Sequence, residues 1–219
     1  VQFGPDEDFT AYPRDLAEDM EMAEKQGVHV LYHPSAAEMY SSGFQTYVNV
    51  RHLSAGLCGG KRPGHFDGVC TVVTKLLNQI RPHVAILGEK DFQQLMVIKA
   101  LVDKFSLAIK IISMPTFREP DGLAMSSRNI RLNDEQREKA SEIYRQLELK
   151  RAEILSVANN FSVLEQLAIE NLSKAGFVPE YVVVRETNTL LPPKRHSDNK
   201  VILVAAKLGE TRLIDNIRV

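Results

Sequence analysis

Apolar residues follow their clearest pattern in the middle of the chain. Short apolar runs at 83–88 and 107–113 predict two strands, because runs of this length with polar borders are typical of buried strands. Apolar residues recur with helical spacing over 91–105, which predicts a helix between the strands. A strand, a helix and a second strand in this order form a βαβ unit. The pattern therefore predicts a parallel sheet with a right-handed crossover.

The part of the chain before this unit contains shorter elements with clear borders. Helical spacing begins after Pro13 and stops at Gly27, and it returns after a glycine-rich stretch. Short apolar stretches between these segments are typical of strands. We predict helices at 14–26 and 66–80, strands at 28–32 and 46–50, and a loop at 54–65.

The character of the chain changes near residues 115–117, beyond which polar helical patterns precede apolar runs. The pattern predicts helices at 133–157 and 161–175, strands at 181–186, 200–206 and 211–217, and a loop at 192–200. Helices followed by a run of strands are typical of an α+β unit. The sequence thus predicts an α/β fold in two domains, with a parallel sheet in 1–116 and a smaller α+β unit in 117–219.

Charge and cysteine content narrow the classes of function. The 219 residues include 27 basic and 28 acidic ones, a net charge of −1, which argues against a broad nucleic-acid or anionic-membrane surface but allows a local basic pocket. No run of 18 apolar residues occurs, so no membrane span is predicted. Two cysteines, Cys58 and Cys70, are too few for a disulfide framework and favour a reducing, cytoplasmic setting.

The first candidate for chemistry is Gly88-Glu89-Lys90-Asp91, where the buried strand should pass into the helix. Ligands of open α/β sheets bind beyond the carboxyl ends of the strands, and a helix N-terminus favours an anion. Lys90 suits a phosphate and Asp91 a ribose. The structural alternative is that Asp91 caps the helix while Lys90 lies in solvent.

The second candidate is the segment 121–129, which contains Ser126, Ser127 and Arg128. Two hydroxyls and a forked guanidinium have the geometry to wrap the oxygens of a polyphosphate. The structural alternative is a polar turn between domains in which Ser127 acts as a cap.

Two weaker candidates concern a small acid. The segment Lys61-Arg62-Pro63-Gly64-His65-Phe66 combines two cations with a histidine at a loop-to-helix junction, although a lone histidine is more often structural. The amides of Gln2 and Gln94 suit a carboxylate or a hydroxyl, but residue type alone does not make either functional. The sequence has no P-loop, no GxGxxG and no Gly-x-Ser-x-Gly motif.

Six segments in order together resemble the pantothenate synthetase family, also called pantoate–β-alanine ligase. They are Val1-Gln2-Phe3, Tyr12-Pro13-Arg14, Arg62-Pro63-Gly64-His65-Phe66, Gly88-Glu89-Lys90-Asp91-Phe92-Gln93-Gln94, residues 121–129, and Arg212-Leu213-Ile214-Asp215-Asn216. Each segment is weak evidence alone, whereas all six in this order are specific.

The resemblance implies a Rossmann-like nucleotidyltransferase lobe with a C-terminal lid lobe, a homodimer, and ligation of pantoate to β-alanine with ATP and Mg²⁺. It implies that ATP is bound by Gly88, Glu89, Lys90, Asp91, the backbone of Phe117, Met125, Ser126, Ser127 and Arg128. It implies that Gln2, Gln94, Arg62 and His65 bind the other substrates. Lys90 and Arg128 are the expected catalytic residues, and no metal-ligating residue is predicted.

Two departures from the family pattern bear on activity. The family's His-x-Gly-His segment, with its catalytic histidine, would precede Val1, so we expect the 219 residues alone to make little pantothenate and to aggregate. Cys58 stands where the family has an acid. Two alternatives therefore remain open: another adenylyl transferase of the same superfamily, or a truncated nucleotide-binding chain without turnover.

Overall fold

The computed structural model describes residues 15–156, 160–194 and 198–219. In these ranges the α-helices are α1 Leu16–Lys25, α2 Ala36–Met39, α3 Arg51–Ser54, α4 Leu57–Lys61, α5 His65–Ile80, α6 Phe92–Lys104, α7 Asp134–Ala140, α8 Glu142–Leu155 and α9 Phe161–Lys174. The strands are β1 Val84–Gly88, β2 Lys110–Met114, β3 Val178–Glu186, β4 Lys200–Leu208 and β5 Thr211–Arg218. No helix in the described ranges is long and apolar enough to cross a membrane.

The elements up to β2, here called the first lobe, contain the predicted βαβ unit. Strands β1 and β2 pair in parallel, from Val84 opposite Lys110 to Gly88 opposite Met114, and α6 connects them. The helices α5 and α6 pack together through a buried apolar cluster that contains Val69, Cys70, Val97, Ile98 and Leu101. Helical spacing of these side chains gives each helix one apolar face, which explains why the two helices pack.

The elements after β2, here called the second lobe, form an antiparallel sheet in the order β3-β4-β5. Helices α8 and α9 cover it, and the largest core cluster lies between them and includes Leu147, Leu172, Val184 and Ile202. The parallel sheet and the separate antiparallel sheet confirm the predicted α/β fold class.

A third apolar cluster joins the lobes. Phe92 at the start of α6 packs with Val201 and Leu203 of β4, and Met96 adds a partly buried side chain. Phe92 is only 1% exposed, so the beginning of α6 is fixed against the second lobe. This contact holds the end of β1 close to the antiparallel sheet.

The predicted strands at 28–32 and 46–50 are wrong, because both segments have an irregular backbone. An apolar segment forms a strand only when a neighbouring strand hydrogen bonds to its backbone, and no such strand pairs with these two segments in the described ranges. The backbone N–H of Val48 donates to the hydroxyl of Thr71 on α5 at 3.0 Å. Val30 is 80% exposed and therefore contributes no buried strand face.

Two further predictions differ in detail. The helix predicted over 133–157 is interrupted at Ser141, whose hydroxyl donates to the carbonyl of Glu138. Such local side-chain bonds compete with the helical ladder. The loop predicted at 54–65 contains α4, in which Gly59 is required because a Cβ there would collide with the carbonyl oxygen of Ser54.

Candidate active site

A cleft of about 880 Å³, counted with the solvent space at its mouth, lies between the two lobes. It is lined from the first lobe by α4, the start of α5 and the start of α6, and from the second lobe by the 123–129 segment, β3, β4 and β5. Seven residues singled out in the sequence line it: Arg62, His65, Lys90, Asp91, Gln94, Ser126 and Arg128. A cleft at the carboxyl end of a parallel strand has the position of a typical small-molecule site in an α/β protein.

The turn Glu89–Asp91 is a single 3-10 turn between β1 and α6. Lys90 is directed into the structure, since its side chain is only 21% exposed and its Nζ lies 3.9 Å from the carboxylate of Asp91. Asp91 occupies the N-cap position of α6, but its side chain makes no capping bond. The structural alternative therefore holds only for the position of Asp91 at the N-cap, since the capping bond is absent and Lys90 is mostly withdrawn from solvent. Both side chains line the cleft.

The second-lobe loop 118–129 lies opposite this turn and is closely hydrogen bonded to itself. Ser126 is the N-cap of a short 3-10 helix that starts at Ser127, and its hydroxyl accepts from the N–H of Arg128 at 3.3 Å. The amide of Asn129 donates to the Ala124 carbonyl and to the Glu119 carboxylate, both at 3.1 Å. These bonds hold Ser126 and Arg128 on a defined backbone at the edge of the cleft.

Two arginines attach this loop to the second lobe. Arg118 makes a bidentate pair with Asp215 of β5 at 2.6 and 3.0 Å, and its guanidinium lies 3.8 Å from the ring centre of Tyr144. Arg137 of α7 bonds the carboxylates of both Glu119 and Asp121. The loop is thus held at its start and at its turn.

Charge sets the ionisation of these groups. Hydrogen bonds from Arg137 hold the pKa values of Glu119 and Asp121 below their ordinary values. Burial raises the pKa of Asp215, and the Arg118 guanidinium acts against that rise. Carboxylates that are ionised and paired keep the loop in one conformation at neutral pH.

The loop also has a glycine that its geometry requires. Gly122 has a φ of 92°, and a Cβ at this position would collide with the ring of Tyr144. Only glycine combines that dihedral angle with such a close approach. The glycine of the Asp-Gly-Leu-Ala motif is therefore explained by the packing of Tyr144 against the turn.

Arg62 and His65 meet on the first-lobe wall of the cleft. Nη1 of Arg62 lies 2.9 Å from Nε2 of His65, and a guanidinium has no acceptor. Nε2 is therefore the acceptor in this contact. Arg62 also donates to the Cys58 sulfur at 3.8 Å, so the residue in place of the family's acid faces the same guanidinium.

The neighbouring glutamines on α6 have separate tasks. Gln93 is 6% exposed, accepts from the N–H of Cys58 at 3.0 Å and donates to the carbonyls of Leu53 and Gly56. It thereby fixes the segment before Arg62. Gln94 lines the cleft, and its amide makes no hydrogen bond to another residue of the described ranges.

The remaining predicted ATP residues lie beside the cleft lining. Gly88 ends β1, and the Glu89 carboxylate pairs with Arg218 at 2.8 Å, which lowers its pKa. Met125 is 56% exposed and donates its N–H to the carbonyl of Phe117. Ser127 opens the 3-10 helix. Gln2 lies outside the described residues.

The structure adds lining residues that sequence reasoning did not select as functional, among them Tyr181 and Arg212. Arg212 pairs with Glu180 at 3.0 Å, and burial raises the pKa of Tyr181 to about 12. Both lie on strands of the second lobe, whose apolar pattern gave no sign that the sheet faces a ligand cleft. The Arg212-Leu213-Ile214-Asp215-Asn216 segment was the one available signal.

The α/β architecture and the cationic cleft between its lobes define a class of proteins that bind small anionic ligands at the ends of parallel strands. The sequence profile of the family described as Pantoate-beta-alanine ligase matches residues 1–218. The chain therefore belongs to the pantoate–β-alanine ligase family.

Individual relatives agree with this assignment. The pantothenate synthetase of Ectopseudomonas mendocina is 48% identical over 221 residues, which cover 100% of this chain and 78% of that protein. The crystal structure of pantothenate synthetase from Thermus thermophilus matches with a TM-score of 0.93 and 40% identity, over 99% of this chain and 79% of that one. The pantoate-beta-alanine ligase of Francisella tularensis, complexed with beta-gamma ATP and beta-alanine, has a TM-score of 0.77 and 34% identity, over 99% and 75%.

Proposed function

We propose that the protein ligates pantoate to β-alanine in two steps at this cleft. A carboxylate oxygen of pantoate attacks the α-phosphorus of ATP, and the bond to the bridging oxygen breaks, which gives pantoyl adenylate and pyrophosphate. The amine of β-alanine then attacks the acyl carbon, loses a proton, and expels AMP to leave pantothenate. The observation that supports this most directly is that Lys90 and Arg128, on opposite lobes, line one cleft.

The first step requires neutralised charge and fixed geometry more than a covalent catalyst. We assign this to Lys90 and Arg128, with Ser126 and Ser127 as hydroxyl donors to the phosphates. Lys90 is largely withdrawn from solvent, where a cation acts more strongly on a phosphate than in water. The adenosine part of ATP would be bound by the other residues of the two loops, namely Gly88, Glu89, Asp91, Met125 and the backbone of Phe117.

The pantoate side is assigned to Arg62, His65 and Gln94, with Gln2 as a further amide. Arg62 provides a cation for a carboxylate. His65 accepts from Arg62 at Nε2 and so orients that guanidinium on the pantoate side. Gln94 projects from the same helix as the phosphate turn, which suits it to hold pantoate against the α-phosphate.

Magnesium fits this arrangement as part of the nucleotide substrate. In the described ranges no group of three or more His, Cys, Asp and Glu side chains could hold a metal ion. Mg²⁺ in nucleotide sites is usually held by the phosphates with one or two carboxylates, and Asp91 offers a half-exposed carboxylate at the cleft. The ion would add positive charge to the leaving pyrophosphate.

The wider setting belongs to the same proposal. The chain would act as two domains, 1–116 and 117–219, in a cytoplasmic homodimer. The cluster of Phe92, Val201 and Leu203 supports two units that meet at the cleft.

The test is product analysis. Activity is assayed in an extended chain that carries the family's His-x-Gly-His segment ahead of Val1. We expect AMP and pantothenate in equal amounts, dependent on ATP, pantoate and β-alanine together. A dinucleotide product would indicate an adenylyl transferase instead, and ATP binding without turnover would indicate a non-catalytic chain; either result would overturn the proposal.

A further inference from the structure

Two consecutive residues of β5, Asp215 and Asn216, contact the two proposed ATP loops. Consecutive side chains of a strand point to opposite faces of the sheet, so one dipeptide can reach in two directions. β5 is an edge strand of the sheet β3-β4-β5, and its Asp215 lies opposite Val204 of β4 while Asn216 lies opposite Leu203. Both side chains are nearly buried, at 3% and 5% exposed.

Asn216 holds the first loop by its backbone. Its Nδ2 donates to the carbonyl oxygen of Glu89 at 2.8 Å and to that of Lys90 at 2.9 Å. Both amide protons are therefore used on the two peptide groups that set the direction of the Lys90 side chain. The N–H of Asn216 itself donates to Asp215 Oδ1 at 2.8 Å, which couples the two residues.

Asp215 holds the second loop through Arg118. The bidentate pair fixes Arg118, which in turn donates to the carbonyls of Gly122 and Asn216 at 3.0 and 3.3 Å. Arg118 begins the loop that leads to Ser126 and Arg128, and its backbone bridges to Ala124. The two loops thus share one anchor, although they are on different lobes.

We propose that Asp215 and Asn216 are positioning residues that fix the separation of Lys90 and Arg128, so that one triphosphate meets both cations. The inference rests on the proposed ATP site. Neither residue needs to contact the nucleotide, because each acts through a loop that does. The buried amide of Asn216 donates to two carbonyls of the Lys90 turn. Packing of the strand alone does not require these two hydrogen bonds.

The decisive variant is Asn216→Val, which keeps a strand-favouring side chain without charge and removes both donors. We expect the ATP dissociation constant of the chain to rise about tenfold, because the two hydrogen bonds that fix the Lys90 turn are lost. In the extended chain the KM for ATP should rise similarly, and the KM for pantoate should stay within about twofold.

Positioning is separated from simple destabilisation by two comparisons. Val184→Ala in the core of β3 serves as a matched control, since it removes buried apolar contacts of the second lobe but no hydrogen bond to either loop. It should lower the melting temperature but leave ATP binding unchanged. In a Lys90→Ala background, Asn216→Val should have less effect on ATP binding than in the wild type, because it acts through Lys90.

Asn216→Thr keeps one donor and nearly the same size, and it provides the test if the valine variant does not fold. We expect a rise in the ATP dissociation constant of about threefold. Unchanged ATP binding in a folded Asn216 variant, or an effect fully additive with Lys90→Ala, would overturn the inference alone. If the wild-type chain binds no ATP, or if Lys90→Ala leaves ATP binding unchanged, both the proposed function and this inference are overturned.

Discussion

The two sheets of this protein contrast in burial and in what they contribute to the cleft. The parallel pair β1 and β2 has exposed apolar positions, with Val84 at 43% and Ile86 at 64%, whereas every β4 residue from Val201 to Ala206 is at most 6% exposed. The second lobe has a closed core of its own. The first lobe supplies the Lys90 turn, but part of the support for that turn comes from β5 of the other lobe.

The contrast extends to the two proposed ATP loops. Loop 118–129 is held by internal hydrogen bonds and by arginines from its own lobe, Arg118 and Arg137. The Glu89–Asp91 turn is held instead across the cleft, by Asn216 and by the Arg218–Glu89 pair. Loop 118–129 is therefore fixed within its own lobe, whereas the Glu89–Asp91 turn depends on the opposite lobe. Contacts between the lobes thus decide whether both loops can bind the same ligand.

The largest expected effect tests the contrast in burial. Leu172→Ala removes a side chain that is 1% exposed in the second-lobe core, and we expect it to lower the free energy of unfolding by about 2–5 kcal/mol. Ile86→Ala, at an exposed position of β1, should change it by less than about 1 kcal/mol. Urea denaturation measures both. Equal losses would show that the first sheet is packed as tightly as the second.

The next prediction uses the adjacent glutamines of α6 as a matched pair. Gln94→Ala should raise the KM for pantoate about two- to tenfold and leave ATP affinity nearly intact, because a neutral hydrogen bond to substrate is lost. Gln93→Ala removes the side-chain partner of the Cys58 N–H and of the Leu53 carbonyl, and one of the two donors to the Gly56 carbonyl, so it should lower the melting temperature. Steady-state kinetics and thermal unfolding separate them.

Selective loss of ATP binding in Gln94→Ala would place this residue on the nucleotide side of the cleft. A melting temperature unchanged in Gln93→Ala would contradict the role given to that side chain. Either outcome would alter the division of the first-lobe wall into a structural and a substrate-binding position.

The smallest expected effect concerns the Arg137 pairs. Because the folded-state pKa values of Glu119 and Asp121 are lowered, their contribution to stability is present above the unfolded values near 4 and is lost as pH falls through the folded ones. Arg137→Gln should lower the melting temperature by about 1–3 °C at pH 7. The difference from wild type should shrink below about pH 4.

Arg145→Gln provides the control, since Arg145 pairs with Glu142 on α8 away from the loop. We expect it to leave ATP affinity unchanged, whereas Arg137→Gln should weaken it by a few-fold at most. A difference from wild type that grows as the pH falls would contradict the sign of the pKa shifts.

The sequence predicted the elements whose pattern is local and missed those that depend on a neighbour. The βαβ unit and the strands of the second lobe were recognisable because each run is apolar and bounded. Residues 28–32 are similarly rich in apolar side chains, yet they pair with no strand in the described ranges. Pairing depends on what lies beside a segment, which periodicity does not encode.

The site shows the same limit. Arg62, Lys90, Gln94 and Arg128 were selected by residue type and by family resemblance, and all four line the cleft. Asn216 gave no sign of its contact with Glu89 and Lys90, because the sequence separation is 126 residues or more. Contacts of this kind follow from how two lobes pack, and they became visible only in the folded structure.

The central claim is that one ATP molecule meets cations from both lobes, and calorimetric titration of ATP into the chain tests it most directly. We expect one nucleotide per chain, and we expect Lys90→Ala and Arg128→Ala each to weaken binding about 10- to 100-fold, the loss of one charge-assisted contact. Lys174→Ala at the end of α9, outside the cleft lining, should leave the affinity unchanged. If either Lys90→Ala or Arg128→Ala bound ATP as tightly as the wild type, the two-lobed site would be contradicted.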